Sequence, residues 1–212
     1  DDAGNLLGEN THIDPITQRL MRQGDTHYRY DIMGRLTQKS SPTAQTTYTY
    51  DSEGYLVTYS AHTASPVHPT TGSVRTEIRF TYDPLGRRLT KHFKSLKVSL
   101  SNHETISEYH HRYLYDGADI VAIYDADTDT LLATLLHDEA VDSPLSISVH
   151  PTKALTPDEQ RHYETLDESE QYLFNHSRIQ TYYYHRDHQN SIVALSDQNA
   201  QIIEYYEYDT YG

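Results

Sequence analysis

Aromatic residues two positions apart recur along the chain, at Tyr28 and Tyr30, Tyr48 and Tyr50, Phe80 and Tyr82, Tyr113 and Tyr115, and Tyr206 and Tyr208. A period of two sets both rings of each pair on one face of a β-strand. Each pair runs directly into an aspartate. The fullest units are Tyr30-Asp31-Ile32-Met33-Gly34, Tyr50-Asp51-Ser52-Glu53-Gly54 and Tyr82-Asp83-Pro84-Leu85-Gly86. Partial copies stand at Asp1-Asp2-Ala3-Gly4-Asn5-Leu6, Tyr115-Asp116-Gly117 and Tyr208-Asp209-Thr210-Tyr211-Gly212. Asp and Gly three apart are the favoured ends of a type I turn, and Pro84 takes the second place that such turns favour. Glycine in the left-handed region then closes the turn with a bulge, which is how many β-hairpins end. Asp187-His188-Gln189-Asn190 fits the same frame, because asparagine tolerates that region next best. One such unit is an ordinary hairpin, whereas a series of them is a repeat array. The pattern predicts an all-β, antiparallel chain of on the order of a dozen strands in a long sheet that curls.

Two stretches depart from this rhythm. Thr156-Pro157-Asp158-Glu159 is a capping box with proline at the first helical position, and Asp167-Glu168-Ser169-Glu170 repeats the signal. Two short helices are expected, over 157–166 and 168–175, with Leu155, Tyr163, Leu166, Tyr172, Leu173 and Phe174 available to cover a patch of sheet. Thr58 to Val74, rich in Ser, Thr, Pro and His, reads as a long exposed loop. The chain therefore divides into a repeat sheet over 1–149, a helical insertion over 150–178 and closing hairpins over 179–212.

Composition narrows the function. The 212 residues hold 20 Tyr but only 3 Phe and no Trp, so nearly every aromatic ring carries a hydroxyl that needs a partner when half buried. With 17 Lys and Arg against 31 Asp and Glu, the formal charge of −14 argues against nucleic acid and anionic membrane surfaces as partners. No apolar run is long enough to cross a membrane as a helix, and the opening Asp1-Asp2-Ala3-Gly4-Asn5 resembles no signal peptide but the middle of a repeat. The absence of cysteine excludes disulfides and thiolate metal sites.

Candidate chemistry is sparse. Of the 14 histidines, His110 and His111 are adjacent on a strand and point to opposite faces, while His185 and His188 meet only if the strand ends between them. Asp125, Asp127 and Asp129 imitate a calcium loop, but Thr130 and Leu136 stand where its glycine and glutamate belong, so a hairpin tip is the better reading. Carboxylate pairs can be drawn anywhere in so acidic a chain and carry no weight without a set separation. No nucleophile elbow, zinc-protease helix or phosphate-cradling loop occurs. No catalytic, cofactor-binding or metal-binding residue is nominated; the singled-out residues are the structural tips, Tyr30, Asp31, Gly34, Tyr50, Asp51, Gly54, Tyr82, Asp83, Gly86, Tyr208, Asp209 and Gly212.

These units, with Tyr113-Leu114-Tyr115-Asp116-Gly117, Leu135-Leu136-His137, Val141-Asp142-Ser143-Pro144-Leu145 and Tyr183-Tyr184-His185-Arg186-Asp187-His188 before Ser191, resemble the Rhs/YD-repeat family, its bacterial core above all. That family includes bacterial polymorphic toxins, the C component of insecticidal toxin complexes and the teneurins. The chain departs from it at Gln189-Asn190, at Asp138-Glu139-Ala140 and in the length of 150–178. The resemblance implies an exported bacterial shell segment, without enzymatic activity or cofactor. It also implies a toxin domain enclosed by the shell, beyond an aspartyl self-cleavage site that lies past Gly212. The partners implied are the rest of the shell, its toxin, and a secretion-system or toxin-complex component. The alternative from the residues themselves is a carbohydrate-binding or adhesive module, with Tyr48 and Tyr50 stacking on sugars.

Overall fold

The computed structural model describes residues 10–64, 73–98, 103–140 and 143–208. Its strands are β1 (Thr11–Ile13), β2 (Leu20–Gln23), β3 (Thr26–Tyr30), β4 (Leu36–Ser40), β5 (Ala44–Tyr50), β6 (Leu56–Ala64), β7 (Ser73–Tyr82) and β8 (Arg88–Val98). They continue with β9 (His103–Asp116), β10 (Asp119–Asp125), β11 (Leu131–His137) and β12 (Pro144–Val149). Helices α1 (Pro157–Tyr163) and α2 (Glu168–Ser177) precede β13 (Gln180–Arg186), β14 (Ile192–Ser196) and β15 (Ile202–Tyr205). The fold is all-β. Fifteen strands among the described residues form one sheet in which every strand neighbours those next to it in sequence, and the pairings are antiparallel. The chain divides into two compact units, 1–110 and 111–212, within β9.

Because consecutive strands pair, alternate connections fall on the same edge of the sheet, and in the first unit the Asp31, Asp51 and Asp83 tips share one edge. Register explains the two faces in the first unit. Tyr48, Tyr59, Ile78 and Phe93 stand opposite one another in successive strands, and Phe93 stacks on Tyr109 at 4.8 Å. One residue along, Thr47, Ser60, Glu77 and Lys94 make a polar row on the other face. The apolar row is half-buried by its own neighbours. Among the described residues the buried apolar side chains are Ala122, Ala133 and Ala194, all in the second unit. Lateral contacts between strands, and not a dry core, organise this sheet.

The segment from Thr58 to Val74 is not a loop throughout. β6 continues to Ala64 and β7 begins at Ser73, with Thr58 opposite Arg79 and Ala64 opposite Ser73. Threonine's branched side chain suits a strand, and the long partner offers a ladder that local composition does not reveal. Residues 65–72, the first partial repeat, Val141, Asp142, and the tip residues Asp209 and Gly212 lie outside the described residues.

Both helices start where their capping boxes predict, with Thr156 and Asp167 as N-caps receiving the backbone N–H groups of Glu159 and Glu170. Their ends differ from the expected 166 and 175. α1 stops at Tyr163, where the Thr165 and Leu166 N–H groups turn back to His162 and Tyr163 carbonyls, and α2 runs on to Ser177. The hairpin is held by Phe174, which meets Tyr163 at 5.7 Å and His162 at 6.0 Å. Tyr172 and Leu173, expected to cover sheet, are exposed instead.

Candidate functional site: a row of interlocked hairpin tips

The Asp31 tip shows how the repeat is built. The Asp31 N–H donates to the Arg35 carbonyl and the Gly34 N–H to the Asp31 carbonyl, each at 3.0 Å, while Asp31 Oδ1 accepts the Arg35 N–H at 2.9 Å. Gly34 sits at φ 87°, and the register shifts where Arg29 and Tyr30 face Gln38 and Leu36, the bulge that the sequence predicts. The same three bonds, between 2.7 and 3.2 Å, close the tips at Asp51, Asp83, Asp187 and Asp197. Their left-handed residues are Gly54, Gly86, Asn190 and Ala200. Tyr115-Asp116-Gly117 is a different device, a two-residue connection between β9 and β10 with Gly117 first (φ 58°), the place type II′ turns give to glycine.

Sequence reasoning missed the Asp197 tip because alanine occupies the glycine position. It also missed a longer variety at Asp14, where Oδ1 accepts the Ile16 N–H, the Thr17 N–H and the Thr17 hydroxyl, and Gln18 is left-handed at φ 56°. Asp125 repeats this with the Asp127 N–H, the Thr128 N–H and hydroxyl, and Asp129 at φ 60°. The shared signal is Asp followed by Thr three residues on. The trio Asp125, Asp127 and Asp129 is therefore a hairpin tip.

The residue before the aspartate ties the hairpin to the previous one on that edge at Asp31, Asp51, Asp83 and Asp187, whereas Ser196, before Asp197, pairs with His185 instead. Tyr30 donates its hydroxyl to the Leu20 carbonyl (2.9 Å), Tyr50 to Leu36 (2.8 Å), Tyr82 to Leu56 (2.8 Å) and Tyr208 to Ile192 (2.7 Å). Before Asp187 the residue is Arg186, and its guanidinium reaches the Pro144 carbonyl at 2.7 Å, the equivalent acceptor. Each acceptor is the first strand residue after a tip.

A second tie runs the other way in the first unit. Asp31 Oδ2 holds Arg35 Nε at 2.6 Å, and Arg35 Nη1 donates onward to the Asp51 carbonyl at 3.2 Å while its guanidinium lies 4.8 Å over the Tyr50 ring. Arg19 does the same to the Asp31 carbonyl and Tyr30. At the next step Tyr55 replaces arginine, stacking on Tyr82 at 5.0 Å and lying against Gly86. The tip glycines thus serve twice, supplying a positive φ and leaving room for the neighbouring hairpin's side chain.

Partial burial pushes the Asp31 and Asp83 carboxyls upward, but hydrogen bonds from the backbone N–H and guanidinium of Arg35 and Arg87 outweigh it and hold both below the usual carboxylate range. Asp14 and Asp197 are lowered chiefly by the Thr17 and Gln201 backbone N–H groups. Burial raises the Tyr30, Tyr48, Tyr184 and Tyr206 hydroxyls.

Elsewhere, a cleft of about 340 Å³ over β7, β8 and β9 is lined by Arg75, Glu77, Arg79, His92, Lys94, Leu96 and Glu108. Its acids are paired, with Arg79 on Glu77 at 2.6 Å, and Lys94 and His92 on Glu108 at 2.8 and 3.0 Å. His185 Nε2 pairs with Ser196 Oγ at 2.8 Å. Among the described residues no three His, Asp or Glu side chains converge as a metal site.

The fold and the tip row define an all-β hairpin-repeat protein with tyrosine-clasped tips. No protein-family model matches the chain, and no curated protein matches it. Among solved structures it is similar to "Crystal Structure of TcdB2-TccC3-TEV", at 17% sequence identity and a TM-score of 0.39. That match covers 84% of this chain and 8% of the other, so the chain spans under a tenth of its neighbour's length.

Proposed function

We propose that the chain is a wall segment of an exported bacterial Rhs-type shell that encloses a C-terminal toxin domain and does no catalysis of its own. The observation that supports this reading is the row of clasps. Each tyrosine hydroxyl joins one hairpin to the next through a main-chain carbonyl, so hairpins add in series without a shared dry core. A sheet stabilised in its own plane suits a wall with water on both sides. Its partners on this reading are the remaining shell, the enclosed toxin, and a component of a secretion system or toxin complex.

Electron microscopy of the whole natural gene product tests the proposal. The expected result is a continuous sheet with its tips in a row, bounding a volume that holds additional density. Two packed sheets with no enclosed volume overturn it and favour the carbohydrate-binding or adhesive reading. Tyr48 and Tyr50 are poor carriers of that second reading, since Tyr48 packs edge-on against Tyr59 and Tyr50 lies under Arg35 with its hydroxyl committed. Sugar stacking falls instead to the exposed rings of Tyr172, Tyr183 and Tyr205.

A further inference from the structure

The connection from β12 into the helical insertion and the return into β13 border an open pocket of about 400 Å³, lined by His150, Thr152, Lys153, Arg178 and Gln180 with Val149 and Pro151. Its polar side chains are donors. Arg178 Nη2 donates to the Lys153 carbonyl at 2.9 Å, which holds the guanidinium at the pocket while leaving its other N–H groups to a ligand. Gln180 Oε1 is occupied by the Tyr182 hydroxyl at 2.8 Å, so the amide presents its NH₂. Thr152 adds a hydroxyl. The His150 ring lines the pocket, with its Nε2 buried out of reach of a bound group.

Charge points the same way. Among the described residues neither Lys153 nor Arg178 makes a salt bridge, in a chain where acids outnumber bases 31 to 17. The nearby Glu159 carboxylate accepts the Thr156 N–H at 2.7 Å and hydroxyl at 2.8 Å within the capping box and interacts with Arg178 through its charge without forming an ion pair. The pocket is lined by two cations and no acid, with the Glu159 carboxylate acting on Arg178 from within its capping box.

We infer that the junction of the sheet and the helical insertion is a binding site for a phosphate monoester group. Such a group carries about two negative charges at neutral pH and three acceptor oxygens, which matches one ammonium, one guanidinium fork and flanking amide and hydroxyl donors. The inference is independent of the shell reading, since it concerns a ligand of the insertion.

The test is a titration of the chain with inorganic phosphate, followed by calorimetry and by amide NMR shifts. Saturable binding that moves the amides of His150, Thr152, Lys153 and 178–180 is expected, with acetate binding more weakly. Lys153→Gln and Arg178→Gln should each weaken binding about tenfold, the loss of one charge-assisted hydrogen bond. Lys153 is exposed, so its variant folds whatever happens at Arg178, and circular dichroism checks both. Lys97→Gln, which removes an exposed cation from β8, should leave the affinity unchanged. Glycerol 3-phosphate and phosphatidic acid vesicles distinguish a soluble ester from a lipid headgroup, and either one binding through Lys153 and Arg178 supports the site. No saturable binding, or equal weakening by Lys97→Gln, overturns it.

Discussion

At the scale of single residues, the tip glycines make a graded test. Gly34, Gly54 and Gly86 share a positive φ, so alanine costs about 1–2 kcal/mol at each on backbone grounds alone. Their surroundings differ. A Cβ on Gly54 would meet only Arg35 Nη1 at 3.6 Å, and one on Gly34 the flexible end of Arg19, whereas one on Gly86 would stand 2.7 Å from Cζ of the stacked Tyr55 ring. Urea unfolding should rank the losses Gly86→Ala, then Gly34→Ala, then Gly54→Ala. The converse change, Ala200→Gly, relieves a left-handed alanine and should stabilise by about 1 kcal/mol. Tyr50→Phe keeps the ring under Arg35 but strands the Leu36 carbonyl, and should cost about 1 kcal/mol in the same assay. A loss near zero at Tyr50 would show that the clasp contributes geometry without stability.

Among the elements, the helices and hairpins differ in how local their instructions are. A capping box lies within four residues, so both helix starts were legible at Thr156 and Asp167. The ends were not, because α1 is too short to stand alone and stops where Phe174 can meet Tyr163. Thr156→Ala and Asp167→Ala should each cost about 1 kcal/mol, read as faster amide exchange confined to α1 or α2. Unchanged exchange would mean that packing alone holds the helical hairpin. Among the tips, those with Asp and Gly three apart could be read directly. Asp14 and Asp197 could not, because Gln18 and Ala200 hold left-handed backbones that the rest of the turn imposes on residues with no preference for them. The exposed Ile16, Ile32, Met33 and Leu85 at the tips carry no trace of the clasps beneath them.

For the whole molecule, lowered aspartates and raised tyrosines set the response to pH. Asp14, Asp31, Asp83, Asp138 and Asp197 have folded-state pKa values below their unfolded ones. Their contribution is complete above the unfolded value of about 3.9 and is lost as pH falls through the lowered ones. Tyr30, Tyr48, Tyr184 and Tyr206 are raised, so theirs is complete below about 10 and lost as pH rises through the raised values. Circular dichroism against pH should show a plateau across neutrality bounded by acid and alkaline transitions; a transition near pH 6 would place the control in the histidines instead. The sequence by itself determined the strand period, the aspartate-led turns and the helix starts, because each is encoded within a few neighbouring residues. Only the tertiary structure decided which carbonyl each tyrosine reaches, which glycine each arginine or tyrosine crowds, and that Lys153 and Arg178 share a pocket. Those partners lie some ten to thirty-one residues apart in the chain, and only strand register or a folded-back connection brings them together.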